Sequence, residues 1–216
     1  MKSFAIIGLG LFGSQLAMDL FNEGHNVLVI DNDENIIEKI ADRVSKAVTV
    51  DAKNREALSQ LGIQKYDCVI VCTSNDLATS VIITMNLKAL QVQKIICKVR
   101  DETDKEVLET LGASMCIVPE HVAAMKLSKK LTADNVVDFT QLSEGHSIME
   151  IEVPPSWTGK TILELNVRSQ YGLNIIAIRR NESLCVELTP SFTLEEGDIL
   201  ILIGSNKNLS KLQKLK

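Results

Sequence analysis

Residues 8–13 read Gly8-Leu9-Gly10-Leu11-Phe12-Gly13, and no other stretch of the chain narrows its fold so far. An apolar run, residues 4–7, precedes them. A helical pattern follows, with Leu16, Leu20 and Phe21 sharing one face. Glycines at this spacing between a strand and a helix point to a turn that holds a pyrophosphate. Gly8 permits the tight turn, Gly10 lets the backbone approach the phosphates, and Gly13 lets helix and strand pack closely. The phosphates then lie on free N–H groups at the positive helix end. Asp31 ends the next apolar run, where a carboxylate accepts hydrogen bonds from ribose hydroxyls and repels a 2′-phosphate. NADP is therefore not expected.

The rest of the first half repeats this unit. Apolar runs at 4–7, 27–30, 47–50, 68–72, 95–99 and 115–118 are rich in Val and Ile and lack strict alternation, as strands buried on both faces do. Helical spacing separates them, as in Ile36, Ile37 and Ile40, or Leu77, Val81, Met85 and Leu87. The pattern predicts an α/β chain with a Rossmann-type doubly wound parallel sheet and right-handed crossovers. The first proline is Pro119, which ends the sixth strand. A helix over about 120–134 (Val122, Met125, Leu127, Leu131) then links two bodies. Shorter strands follow at 148–153, 174–178, 184–188 and 199–203, with helices at 161–165 and 206–215. The expected domains are 1–138, nucleotide-binding and including the linking helix, and 139–216, a small α+β module.

Composition removes several functions. Net charge is −5 and aromatics are 4%, which excludes a bulk nucleic-acid or anionic-membrane surface and a base-stacking platform. The five cysteines are odd in number, and four lie in apolar runs, as free thiols of a reducing cytoplasm do. The first seventeen residues have the apolar character of a secretory signal, but they hold the three spaced glycines, so they read as fold. No stretch approaches the length of a membrane span.

Other residues at strand ends are candidates for the same crevice, since ligands of doubly wound sheets sit at the carboxyl ends of strands. Asp51 and Ala52 follow the third strand. Thr73 and Ser74 follow the fourth and open a segment, 73–76, that also reads as a helix N-cap. Lys98 and Arg100 end the fifth, with the lysine able to reach phosphates. Catalytic signatures are missing. Gly159-Lys160-Thr161 lacks the earlier glycine of a phosphate loop, and His25, His121 and His146 stand at no recognisable catalytic spacing.

The stretches FAIIGLGLFG, VIDNDE, VTVDA, VIVCTSND, IICKVRD, LGASMCIVPE and GKTILELNVRSQYGLNIIAIRR together resemble the cytoplasmic subunits of Trk/Ktr potassium-uptake systems, an RCK (KTN) nucleotide-binding domain followed by a C-terminal RCK module. The resemblance covers essentially the whole chain. It implies a regulator and not an enzyme: homodimers assembling into an octameric ring beneath a membrane potassium channel or transporter subunit, at the inner face of the cell membrane. ATP, ADP or NAD(H) in the crevice changes ring shape and gating. By position, Gly8, Gly10, Leu11, Phe12 and Gly13 hold phosphates and Asp31 the ribose. Asp51 and Ala52 lie near the adenine, and Lys98 approaches the phosphates. Glu120 sits near an inter-subunit site for a cation, Mg or Ca, or for a phosphate. Many Ktr-type members carry Arg, reaching a γ-phosphate, where this chain has Leu11, so weaker discrimination of ATP from ADP is expected.

The second module resembles those that bind cyclic di-AMP between two copies, through positions matching Val167, Arg168, Asn174, Ile175 and Pro190. A module that only dimerises is the other reading of those residues. The alternative function for the whole chain is a small NAD-dependent oxidoreductase, whose substrate domain would have to fit in the short second module. A nucleotide-binding module serving another membrane partner is the third.

Overall fold

The computed structural model describes residues 1–73, 76–131 and 135–212, with the side chain of Lys129 left aside. Two compact units divide the chain, Met1–Glu120 and His121–Lys216.

In the first unit six parallel strands form one sheet: β1 (Ser3–Ile7), β2 (Asn26–Asp31), β3 (Lys46–Thr49), β4 (Cys68–Val71), β5 (Ile95–Lys98) and β6 (Met115–Ile117). Their order is β3-β2-β1-β4-β5-β6, so the strand order reverses between β1 and β4. Each expected apolar run lies on one of these strands, displaced by at most a residue at either end. The absence of polar alternation has a simple cause, since both faces are covered. Ala5, Ile7, Leu28, Ile30, Val69 and Val71 point into one core, and Ile6, Val27, Val29, Cys68, Ile70 and Cys72 into the other.

The helices are α1 (Leu11–Asn22), α2 (Glu34–Ile40), α3 (Arg55–Gln60), α4 (Leu77–Ala89) and α5 (Glu102–Thr110). Four of them start on a short polar side chain that accepts first-turn N–H groups: Asp33, Asn54, Asp76 and Asp101. The exception is α1, whose cap position is Gly10 and whose first turn has no acidic residue. Its buried positions are Gly13 and Ala17, small residues one turn apart, so the helix lies close on the sheet while Phe21 is partly exposed. On α4 the expected face of Leu77, Val81, Met85 and Leu87 is buried in part: Leu87 is in the core and Leu77 and Val81 pack against it, but the centre of the buried face is shifted. Ser80, Ile83, Thr84 and Leu87 face inward and Met85 is half-exposed. This helix is apolar nearly all round, so its periodicity carried little phase. The Asp76 cap and the polar pairs Ser80–Thr73 and Thr84–Cys97 fix it instead.

Helix α6 (Pro119–Leu131) starts on the last residues of the first unit with Pro119 in its first turn, where a missing N–H is harmless. The expected continuation over 132–134 lies outside the described residues. The second unit is an antiparallel sheet of β7 (Val136–Gln141), β8 (His146–Glu152), β9 (Asn174–Arg180), β10 (Ser183–Cys185) and β11 (Ile199–Ser205), ordered β10-β9-β11-β8-β7. It carries α7 (Ile162–Leu165), α8 (Val167–Tyr171) and α9 (Asn206–Leu212). The sequence reading has no counterpart for β7, and the expected boundary at 138/139 falls inside it. A register shift between Val136 and Asp138 breaks the alternation by which a strand is recognised. The expected strand over 184–188 is shorter in the structure, ending at Cys185, and the last helix is described only to Leu212.

One ion-pair network holds the second unit's turns. Arg180 donates through Nε and Nη2 to the two carboxylate oxygens of Asp198, at 2.7 and 2.6 Å. It also donates to Glu195 and to the Thr193 carbonyl, and it stacks on the Phe192 ring at 5.0 Å. Asp198 is 1% exposed. Burial alone would raise its carboxyl, but the Arg180 guanidinium and the Glu195 N–H outweigh that and hold it below the ordinary carboxylate range. A depressed carboxyl stabilises the fold above its unfolded value, near pH 4, and that contribution is lost as pH falls through the folded value. Asp198→Asn is expected to lower second-unit stability by about 3 kcal/mol, the low end for a broken buried pair. It should also flatten the acid limb of stability. Fluorescence of Trp157, the sole tryptophan and a member of this core, followed through thermal unfolding from pH 3 to 7 checks both.

Candidate functional site

The three glycines of the first turn are glycine for different reasons. Gly8 has φ +92°, and a Cβ there would lie 3.0 Å from Thr73 Cγ2 and 3.1 Å from the Cys72 carbonyl carbon. A Cβ on Gly13 would collide with the Gly8 carbonyl oxygen. Gly10 is constrained by neither. Its φ of −65° and ψ of −174° suit any residue, and a Cβ there would meet nothing within 4 Å. It faces open space at the uncapped start of α1, at the point where the strand order reverses, which is where doubly wound sheets bind ligands. Leu11 follows, 97% exposed.

Asp31 is built into this turn. Its Oδ2 accepts the Leu9 N–H at 2.7 Å and its Oδ1 accepts the Asp33 N–H at 3.1 Å. The Gly8 N–H donates to the Ile30 carbonyl at 2.9 Å. The acid therefore ties the end of β2 to the glycine turn and keeps acceptor capacity for a ligand hydroxyl. Beside it lies a cleft of about 170 Å³ whose lining includes Gly8, Asp31, Asp51, Ala52 and Thr73. That is below the roughly 300–1,000 Å³ of a whole small-molecule pocket. It suits the nucleoside part of a ligand, with phosphates outside it over the glycine turn. Sequence reasoning missed the rest of the lining, among it Lys53, Thr79 and Ile83. The last two stand one turn apart on α4. In the 73–76 segment the two roles divide. Asp76 caps α4, accepting from Ala78 and Thr79, while Thr73 lines the cleft. Ser74 lies outside the described residues.

A second cluster stands over α1. The Lys98 ammonium is 2.7 Å from Glu120 Oε1 and 6.0 Å from the centre of the Phe12 ring. The Lys98 side chain is 13% exposed and that of Glu120 67%. The hydrogen bond from Lys98, with one from the Glu120 backbone, lowers the Glu120 carboxyl. Gly10, Leu11, Lys98 and Glu120 do not line the nucleoside cleft. Within one chain, among the described residues, Glu120 belongs to no group of metal-ligating side chains. The acid already holds an ammonium, and among the described residues no group of three or more acids, histidines or cysteines could bind a metal.

In the second unit the structure brings all five candidates together. Val167, Arg168, Asn174, Ile175 and Pro190 line one cleft of about 320 Å³, formed by α7, α8, the start of β9 and residues 188–190. Ile162, Leu163, Asn166, Leu173, Leu188 and Thr189 complete its wall and had not been singled out in the sequence. Leu163 is 70% exposed at the rim, and Asn166 adopts the left-handed conformation that joins α7 to α8.

Four of the five cysteines sit in surroundings that favour the thiol. Burial pushes the Cys72 and Cys116 thiols up to about 12 and raises those of Cys68 and Cys97, so none of the four is a thiolate at neutral pH.

Comparison with known proteins agrees with this geometry. The TrkA-N domain family matches residues 4–119 and the TrkA-C domain family residues 148–216. Ktr system potassium uptake protein C of Bacillus subtilis is 35% identical over 213 residues, 99% of this chain and 96% of that protein. Ktr system potassium uptake protein A of the same organism is 32% identical over 212 residues, 98% of this chain and 96% of that protein. Among solved structures, the GsuK channel bound to NAD superposes with a TM-score of 0.69 at 20% identity, a likeness of fold. It covers 99% of this chain, which spans 39% of that channel chain. With both domain families matched in order, and relatives aligned along nearly their full length, the chain belongs to the TrkA-N/TrkA-C family that includes the Ktr potassium-uptake proteins.

Proposed function

We propose that this chain is a nucleotide-binding regulatory subunit of a potassium-uptake channel or transporter, with no catalytic activity of its own. The observation that carries the reading is Gly10. Packing explains glycine at positions 8 and 13, whereas at position 10 neither packing nor backbone strain asks for glycine, and the close approach of a pyrophosphate to the start of α1 would account for it. In this reading ATP, ADP or NAD(H) lays its phosphates over the start of α1, its ribose against Asp31, and its base beside Asp51 and Ala52. Cyclic di-AMP occupies the second cleft, with Arg168 pairing a phosphate and Val167, Ile175 and Pro190 flooring an adenine. Homodimers form an octameric ring against a membrane partner at the cytoplasmic face, and the ligand bound sets the ring's shape. The family's potassium-uptake relatives support this over an oxidoreductase. Among the described residues no helix is long and apolar enough to cross a membrane, consistent with a subunit that acts through a partner.

Isothermal titration with ATP, ADP, NAD, NADH and cyclic di-AMP, beside a mass measurement and an NADH-oxidation assay, tests the proposal. Binding by an octamer without turnover is the expected result, and NADH turnover would replace it with the enzyme reading.

Glycine replacements should separate binding from folding. Gly10→Val is expected to keep its melting temperature and lose nucleotide. Gly13→Ala is expected to lose about 1–3 kcal/mol of stability, as overpacked sites do. Thermal unfolding and titration of both variants check this. Asp31→Ala should weaken every adenine nucleotide by about 1–3 kcal/mol through lost charge-assisted hydrogen bonds, read by the same titration. Arg168→Ala should weaken cyclic di-AMP about tenfold or more, given 1.5–3 kcal/mol for hydrogen bonds to charged groups, and leave the first-unit ligands unchanged.

A further inference from the structure

We propose that Cys97 and Cys116 are a redox-sensitive pair, which lasting exposure to a hydroperoxide closes into a disulfide that staples the edge strand β6 to its sheet. The two residues stand directly opposite each other on the neighbouring parallel strands β5 and β6. Opposite residues on adjacent strands point to one face, and both thiols meet the core that holds Leu87, Val99 and Leu108. Their sulfurs are close enough to share a hydrogen bond. Neighbouring strands lie about 4.8 Å apart, within the ~4.4–6.8 Å between Cα atoms that a disulfide spans. Closing the bond needs only a small inward shift of one strand. Strand β6 can supply it, being three residues long and hydrogen-bonded on one side only. Among the described residues the other cysteines have no such partner. Cys68 and Cys72 face the opposite core, about 13 Å apart along one extended run, and Cys185 belongs to the second unit.

Unequal exposure orders the chemistry. Cys97 is fully buried, its sulfur 3.4 Å from the Thr84 hydroxyl. Cys116 is half-buried at the sheet edge, and its thiol makes only a long 3.9 Å contact with the Lys105 carbonyl. Cys116 is therefore the sulfur that meets an oxidant. Its thiolate attacks the hydroperoxide and the O–O bond breaks. The sulfur keeps a hydroxyl as a sulfenic acid, and the departing oxygen takes up the thiol proton. The Cys97 sulfur then attacks that of Cys116, the S–O bond breaks, and the hydroxyl leaves as water with the Cys97 proton. The two thiols give up two electrons and two protons, and the peroxide receives them. Burial holds both thiols protonated, so the reaction is slow and answers to sustained oxidation, not to a brief pulse. Strand β6 leads into Pro119 and α6, whose later residues belong to the second unit, so the staple fixes the first unit where the chain leaves it.

The test uses the full chain in a Cys185→Ser background, which leaves four of the five cysteines. It is treated with hydrogen peroxide, then alkylated in denaturant and mapped. The expected product keeps two free thiols and holds residues 97 and 116 in one linked peptide, two hydrogens lighter than its parts, which dithiothreitol opens. Adding Cys116→Ala should leave every remaining thiol free. Adding Cys97→Ala removes the resolving sulfur, so a Cys116 sulfenic acid should accumulate and be trapped by a cyclic dione. Oxidation should slow hydrogen exchange across residues 115–117 by about threefold or more. It should also raise the melting temperature by several degrees, as closing a loop of about 20 residues does. The exposed Met85 and Met115 report the dose, since sulfoxide forms there readily. If both become sulfoxides while all four thiols stay free, the inference is overturned. It is overturned equally if Cys116 passes to sulfinic acid without joining Cys97, or if the bond forms and exchange in β6 does not change. Should Cys97→Ala fail to fold, the thiol counts of the parent and of Cys116→Ala decide.

Discussion

The approach of α1 to the glycine turn governs the first unit. Gly13 lies so near the Gly8 carbonyl that even a methyl group would separate helix from strand. Ala17 continues the same small-residue face one turn on. This closeness aims the uncapped N-terminus of α1 at the point where the strand order reverses. Asp31 then secures the turn from the other side by accepting the Leu9 N–H. A larger residue at 13 would displace the helix end, and with it every group proposed to meet a phosphate. Binding geometry here is a consequence of packing density more than of particular polar contacts.

Much of this was legible in the sequence because the signals were local. Strands buried on both faces show as unbroken apolar runs, and the glycine turn and its acid stand at fixed offsets from them. What was not legible depended on phase or on tertiary pairing. Helix α4 carries apolar residues on all sides, so its buried face is chosen by the Asp76 cap and by Ser80 and Thr84 finding partners. Strand β7 was invisible because its register shifts beside Asp138. The Lys98–Glu120 pair joins residues 22 apart, across the whole of α5 and β6, and no local rule pairs them.

The second unit solves a different problem. Its short strands and many turns leave polar backbone to be satisfied at the edge of a small core. Arg180 does this from one position by joining Asp198, Glu195 and the Thr193 carbonyl. Asp198 completes the tie by accepting the Glu195 N–H at 2.8 Å. With that side fixed, the opposite end of β9 is free to carry the cleft, whose walls come from two very short helices joined at a left-handed Asn166. The five residues matched by resemblance are spread over 167–190 yet line one cavity, because α8 packs against the strand that follows it.

The two clefts differ in how they meet charge, and the difference bears on regulation. In the second, Arg168 is exposed at the wall and pairs with no acid among the described residues, so an anion gains its full attraction. In the first, each strand-end cation already faces a carboxylate: Lys53 with Asp51, Lys98 with Glu120, Arg100 with Asp104. A ligand there exchanges one ion pair for another, and the net gain is a small difference between similar terms. If the proposed nucleotide binds there, its affinity is a small net of opposed charge terms. A subunit that must respond to which nucleotide is bound, and not merely to whether one is bound, is served by that arrangement.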